Sequence, residues 1–176
     1  VFKPKGRLKE GDRYKTKPEI AGQMIQKLIE LGFKFELVLA DSLTSESDVN
    51  FISILSKFKL NYLVAIRSNH GVWLPQGQNV RHNKWRKFEL IFSNKETETR
   101  YIREIIFGKR RPRQYWQITT DPETLPDSST WYVMSNISGV KYNEVGNLYG
   151  LRTWVEYGLK PSKNELGWAD FRVTSY

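Results

Sequence analysis

Phe33-Lys34-Phe35-Glu36-Leu37-Val38-Leu39-Ala40-Asp41 begins with apolar and charged residues in alternation and closes on a continuous apolar run. A short apolar run stopped by a charge is how an interior parallel strand reads, because both of its faces are buried. The pattern predicts a strand over 33–40 that ends at Asp41. What stands on either side decides the fold. Upstream, Thr16-Lys17-Pro18-Glu19 reads as a helix start: Thr16 can cap, Pro18 is tolerated in the first turn, and Glu19 completes a capping box. Ile20, Met24, Leu28 and Leu31 then repeat at helical spacing, and Gly32 supplies a stop. Downstream, a second helix is predicted from Ser47 or Asp48 to Lys59, with Val49, Ile52, Leu55 and Phe58 on one face. Tyr62–Ile66 is another short buried strand. Helix, strand, helix, strand in this order predicts an α/β layer with a right-handed crossover.

Asp41 gains interest from that layer. Residues just past the carboxyl ends of strands line the ligand crevice of open α/β sheets. An Asx turn or a helix cap, with Ser42–Ser47 as the loop, explains an aspartate there equally well.

From Ser68 the pattern changes. Val72–Leu74, Trp85–Phe92, Thr99–Phe107, Arg113–Thr120 and Thr130–Asn136 are rich in aromatic and β-branched residues and read as strands. They form a β-rich block set between two α/β pieces. Lys109-Arg110-Arg111-Pro112-Arg113 is a basic turn between two of those strands. A solvated loop looks the same, but beside Tyr115 and Trp116 the turn also suits phosphate contact with base stacking. Asp121–Asp127 is a turn-rich connector whose acids are expected at the surface.

A helix is predicted from about Asn143. Within it Tyr149, Arg152, Glu156 and Lys163 stand at offsets of three, four and seven. On a helix those offsets align all four along one face. Such a polar stripe is expected to avoid the core, while Leu148, Leu151, Trp154, Val155 and Leu159 supply a separate buried face. Ion pairing of Arg152 with Glu156 on a solvated face is the plain alternative. Gly146, Gly150 and Gly158 weaken the helix, and Pro161 kinks or breaks it.

The composition narrows the partners. A net charge of +9 over 176 residues favours an anionic partner, and an aromatic fraction of 14% beside it favours nucleic acid over a membrane surface. No apolar run reaches the length of a membrane span. With no cysteine and two histidines, thiolate chemistry and histidine-rich metal sites drop out, so any metal chemistry would run on carboxylates. The chain opens on Val1 rather than methionine and is expected to be a piece of a longer protein.

Tyr149-x2-Arg152-x3-Glu156-x6-Lys163 resembles the signature of the DDE transposases of bacterial insertion sequences. Val38-Leu39-Ala40-Asp41-Ser42 looks like the strand that carries their second catalytic aspartate, and Asn164–Asp170 is similar to the family's continuation. The resemblance implies an α/β fold: an incomplete RNase H-like core with a β-rich insertion between the strand after Asp41 and the Glu156 helix. Residues 1–67 would be the first part of the core, 68–142 the insertion and 143–176 the helical end of the core. It implies Asp41 and Glu156 as catalytic residues and metal ligands for Mg²⁺ (or Mn²⁺), two ions in the complete site. The implied chemistry is in-line phosphoryl transfer, hydrolysis at the transposon end followed by strand transfer into target. Tyr149, Arg152 and Lys163 would hold DNA near the metals, with Lys109, Arg110, Arg111 and Arg113 as further DNA contacts. Double-stranded DNA, a homodimer in a synaptic complex and a nucleoid-associated place in the bacterial cytoplasm follow from the same resemblance. Trp73, Trp85, Trp116 and Trp131 are candidates to stack on a base flipped from the transposon end, as insertions in relatives do.

The sequence departs from the pattern in three places. No residue stands for the first aspartate: Asp12 lies in a Gly-Lys-rich loop with no apolar run before it. The fragment is therefore expected to bind DNA without cleaving it. Leu43-Thr44-Ser45 follows Ser42 where a Tyr-Gly is common in the family. Pro161 separates Glu156 from Lys163. The alternative functions are a non-catalytic nucleic-acid-binding module and a basic protein–protein adaptor.

Overall fold

The computed structural model describes residues 6, 8–42, 47–72, 74–92 and 94–152. These form three layers: one mixed sheet of seven strands with helices on both faces.

Helix α1 spans Lys17–Glu30 and starts as expected. Thr16 is its N-cap; the Thr16 Oγ1 accepts from the Glu19 amide at 3.3 Å, and Glu19 Oε2 accepts from the Thr16 amide at 2.6 Å. The face it buries differs from the expected stripe. Met24 and Leu31 are 60% and 63% exposed, while Gly22 is buried and Ala21 and Ile25 pack inward. Contact with the next helical segment sets this rotation. A Cβ on Gly22 would lie 2.6 Å from the Asn50 carbonyl oxygen and 2.4 Å from Ile54 Cδ1. Gly22→Ala is therefore expected to destabilise by about 1–3 kcal/mol through overpacking, outweighing the gain of roughly 1 kcal/mol in helix propensity. A lowered urea midpoint at unchanged slope is the check.

The second helical segment opens with a π turn, Asp48–Ile52, capped by Ser47, and continues as α2, Ser53–Lys57. The π turn inserts an extra residue per turn and moves the apolar face. Phe51, Ile52 and Leu55 are buried, and Val49 is 80% exposed rather than inward.

Strand β1 covers Val38–Ala40, shorter than the 33–40 predicted, and runs parallel to β2, Tyr62–Ile66. Three residues pair with Tyr62–Val64, and the other edge of β1 pairs with no described strand. Phe33 lies 59% exposed ahead of it.

The remaining strands are β3, Val80–His82; β4, Arg86–Ile91; β5, Thr97–Phe107; β6, Gln114–Thr119; and β7, Trp131–Ser135. β3 was not anticipated, and Val72–Leu74, read as a strand, contributes none among its described residues. The order is β1-β2-β7-β6-β5-β3, with β4 beside β3 on the same edge of β5. The β-rich block thus extends the α/β sheet, joining antiparallel to β2 through β7. Asn136 fastens that junction: its Oδ1 accepts from the Tyr62 amide at 2.8 Å and its Nδ2 donates to the Leu60 carbonyl at 3.0 Å.

Each face has its own core. α1 and α2 cover Tyr62, Val64 and Met134. The last helix, α3 (residues 142–152), covers Leu63, Ala65, Phe88, Ile102, Ile118 and Val133 through Val145 and Tyr149. Gly146 and Gly150, which weaken a helix in isolation, let α3 approach: a Cβ at either would fall 2.3 Å from the Phe88 ring or 2.5 Å from Leu90 Cδ1. Asn147 Oδ1 accepts from the Ile91 amide at 3.1 Å and ties α3 to β4.

Candidate active site

β1 and β2 end side by side, and β7 begins there because it runs antiparallel to β2. Asp41 follows the last residue of β1 and shares the sheet face of Leu39, the face that α3 covers. A cleft of about 550 Å³ opens at this end. It is lined by Asp41 and Ser42 after β1, by Trp131 and Tyr132 at the start of β7, and by Tyr149 and Arg152 of α3. The fold thus brings Asp41 to the first two residues of the polar helix motif.

Tyr149 corrects the expected exposed stripe. Its ring is 9% exposed and belongs to the core beneath α3, while Leu151, assigned to the buried face, is 38% exposed. The phenol oxygen reaches the core's edge and accepts from Arg152 Nη1 at 3.1 Å. The ring packs, the oxygen orients the guanidinium, and the guanidinium stands in the cleft. Glu156, Lys163, Pro161 and Trp73 lie outside the described residues.

Trp131 joins this cleft to a smaller cavity of about 370 Å³ that also includes Tyr149, Arg152 and Arg100. Arg100 lies over the Trp131 ring with Cζ 4.3 Å from its centroid, and its Nη2 is 2.6 Å from Glu98 Oε2. Of the candidate tryptophans with described side chains, Trp131 is at the cleft; Trp116 is buried in the core and Trp85 lies across the sheet.

The 121–130 connector forms the cleft's rim. Asp121 accepts from the Glu123 amide at 2.9 Å and from Thr124 Oγ1 at 2.6 Å, and these bonds hold its carboxyl below the usual carboxylate value. Asp127, expected as a surface acid, is exposed and at the same time lines the cleft. Neither Asp127 nor Arg100 stands in a local motif. Only the pairing of β7 with β2 and β6 brings them close, so sequence spacing held no signal for them.

The basic turn lies elsewhere. It joins β5 to β6 at the end of β6 away from the cleft, about 20 Å distant along six residues of strand. Arg113 Nη2 is 2.8 Å from Asp48 Oδ1, and burial beside Arg113 pushes the phenols of Tyr62 and Tyr115 above their ordinary value. Arg110 Nη2 is 2.8 Å from Oε2 of the buried Glu104, which also accepts from Asn83 Nδ2 at 2.9 Å. Two of the four predicted contacts, Arg110 and Arg113, therefore also make ion pairs within the chain, and Lys109, Arg110 and Arg111 are exposed.

Among the described residues the cleft offers oxygen donors, the carboxylates of Asp41 and Asp127, and no histidine. That donor chemistry suits a hard divalent cation. Among the described residues no three His, Asp or Glu side chains gather into a metal-sized group, and no helix is long and apolar enough to cross a membrane.

Residues 3–89 match the family described as DDE superfamily endonuclease. Over all 176 residues the chain is 62% identical to a protein of Microchaete diplosiphon named as a probable transposase for insertion sequence element IS701. The chain spans 46% of that relative's length. No solved structure matches this chain.

Proposed function

We propose that this chain, which belongs with the DDE transposases of insertion sequences, supplies part of the catalytic domain of a protein that cuts and rejoins DNA. The observation that carries the reading is the convergence of Asp41 with Tyr149 and Arg152 in one cleft, 108 residues apart in sequence. Asp41 and, by spacing alone, Glu156 are assigned as ligands of Mg²⁺ or Mn²⁺. Two such ions would activate the attacking oxygen and stabilise the leaving one. The chain's own residues prepare the substrate. Arg152, oriented by the Tyr149 oxygen, holds a phosphate of the transposon end. Lys163 adds a point charge, and Lys109, Arg110, Arg111 and Arg113 meet DNA away from the cleft. Trp131, clamped by Arg100, offers an aromatic surface to a base drawn into the cleft. An RNase H-like core would take its first aspartate on a strand beside β1, whose other edge pairs with no described strand. The partners assigned are double-stranded transposon ends and target, with a second copy of the protein in the synaptic complex, in the bacterial cytoplasm.

Arg152 provides the test. A charge-assisted phosphate contact contributes about 1.5–3 kcal/mol, so Arg152→Ala is expected to weaken transposon-end duplex binding roughly tenfold or more. Arg152→Lys should recover part of the loss, since it keeps the charge and loses the fork. Fluorescence anisotropy at fixed salt reads both. Unchanged affinity in Arg152→Ala would remove the assigned role.

A further inference from the structure

On the sheet face covered by α1 and α2, the cover stops at β7 and the start of β6. Beyond it, among the described residues, an organised row crosses the face, with Gln117 buried at its middle and Trp85, Arg103 and Tyr132 partly exposed. Arg103, Gln117 and Tyr132 are register partners on β5, β6 and β7 and project to this side. Arg103 Nε donates to Gln117 Oε1 at 2.8 Å, and Gln117 Nε2 donates to the Tyr132 hydroxyl at 3.1 Å. Trp85 closes the outer end, with Arg103 Cζ 4.3 Å from its ring centroid. The inner end, Tyr132, borders the Asp41 cleft.

This row holds a cation without supplying its counter-charge. Arg103 is half-buried and makes an ion pair with no carboxylate among the described residues; its partners are a neutral amide and an aromatic face. The acid on this side of β4, Glu89, is engaged by Thr99 Oγ1 at 2.9 Å and by Lys87 Nζ at 3.9 Å. His82 is pushed below the ordinary imidazole value by burial and by Arg103, as expected beside an unneutralised guanidinium. A partly desolvated, partly exposed cation, its fork pre-positioned by stacking, suits an external anion. The exposed Lys84 and Lys87 flank Trp85 in sequence and add to the positive field.

We infer that the Trp85–Arg103–Gln117–Tyr132 row is a second DNA-contact surface, on which the phosphate backbone of a duplex leaving the Asp41 cleft is held by Arg103. The inference rests on the reading of the chain as a DNA-acting protein. It adds a path from the cleft across the β-rich block, on the face opposite α3. Arg103 is thereby assigned a phosphate contact, and Gln117 positions it.

The test measures a fluorescent 30-base-pair duplex binding to the full chain as salt rises. One phosphate contact contributes about 0.9 to the slope of log affinity against log salt. Arg103→Gln is expected to lower that slope by about this amount and to weaken binding about five- to tenfold at 100 mM salt. Lys27→Gln, a matched loss of one exposed charge on α1, should change neither. Wild-type affinity and slope in a folded Arg103→Gln protein would overturn the inference and leave the DNA reading intact. Absence of duplex binding by the wild-type chain at low salt would instead overturn the DNA reading, and the row with it. Should Arg103→Gln fail to fold, photo-cross-linking of bromodeoxyuridine duplex to the wild-type chain decides. Adducts at Trp85 or Tyr132 support the surface, and adducts confined to other residues overturn it.

Discussion

Asp41→Asn, made in the full reading frame that carries this chain, is expected to abolish metal-dependent cleavage of a transposon-end duplex while leaving duplex binding in place. The substitution keeps the side chain's size and removes the anion that the proposed ligand role needs. Transition-state stabilisation by a bound metal is worth several kcal/mol, so cleavage should fall by about 10³-fold or more. Glu156→Gln should give a loss of the same order. The 176-residue chain alone should bind duplex and leave it uncut. Gel-resolved nicking of an end-labelled duplex in Mg²⁺ reads all three. Cleavage within tenfold of wild type in Asp41→Asn would sink the catalytic assignment and favour a module that only grips DNA.

Leu63→Ala is expected to be the most damaging single truncation for the fold. Leu63 is fully buried in β2, registered with Leu39 on one side and Ser135 on the other. Its side chain belongs to the core beneath α3. Removing a buried leucine costs about 2–5 kcal/mol, against a total stability of roughly 5–15 kcal/mol for a domain. The same core holds Tyr149, so the cavity should also loosen the support of Arg152. Thermal and urea unfolding measure the first effect. The second appears as weaker duplex binding at a temperature where the variant is still folded. A midpoint within experimental error of wild type would contradict the packing described.

What the sequence made legible was local. The Thr16–Glu19 box read correctly because both of its bonds lie within one turn. The strand ending at Asp41, its parallel partner and four of the later strands were visible in runs of apolar and β-branched residues. The misreadings came from tertiary contact. A π turn shifted the face of the second helical segment so that Phe51 rather than Val49 went inward. Gly22, a poor helix former, marks the inward side of α1, and Met24 does not. Tyr149 sat in a polar stripe by spacing, yet its ring is core and only its oxygen serves the cleft. The ion pairs of Arg110 and Arg113 with the buried Glu104 and the exposed Asp48 had no mark in the sequence. β3, three residues with every side chain exposed, has no apolar period to betray it.

The seam between β2 and β7 has a kinetic consequence. Leu63 meets Ser135 at a sequence separation of 72, whereas β5 and β6 meet across a short turn. Closing the longer loop carries the greater entropic cost, and distant strand pairing is slow. The β5–β6 hairpin and the α1–α2 unit can form early and independently; β2 and β7 must then find each other. The walls of the Asp41 cleft come from both sides of that seam. Its assembly therefore belongs to the last stage of folding, after the surrounding pieces have already taken shape.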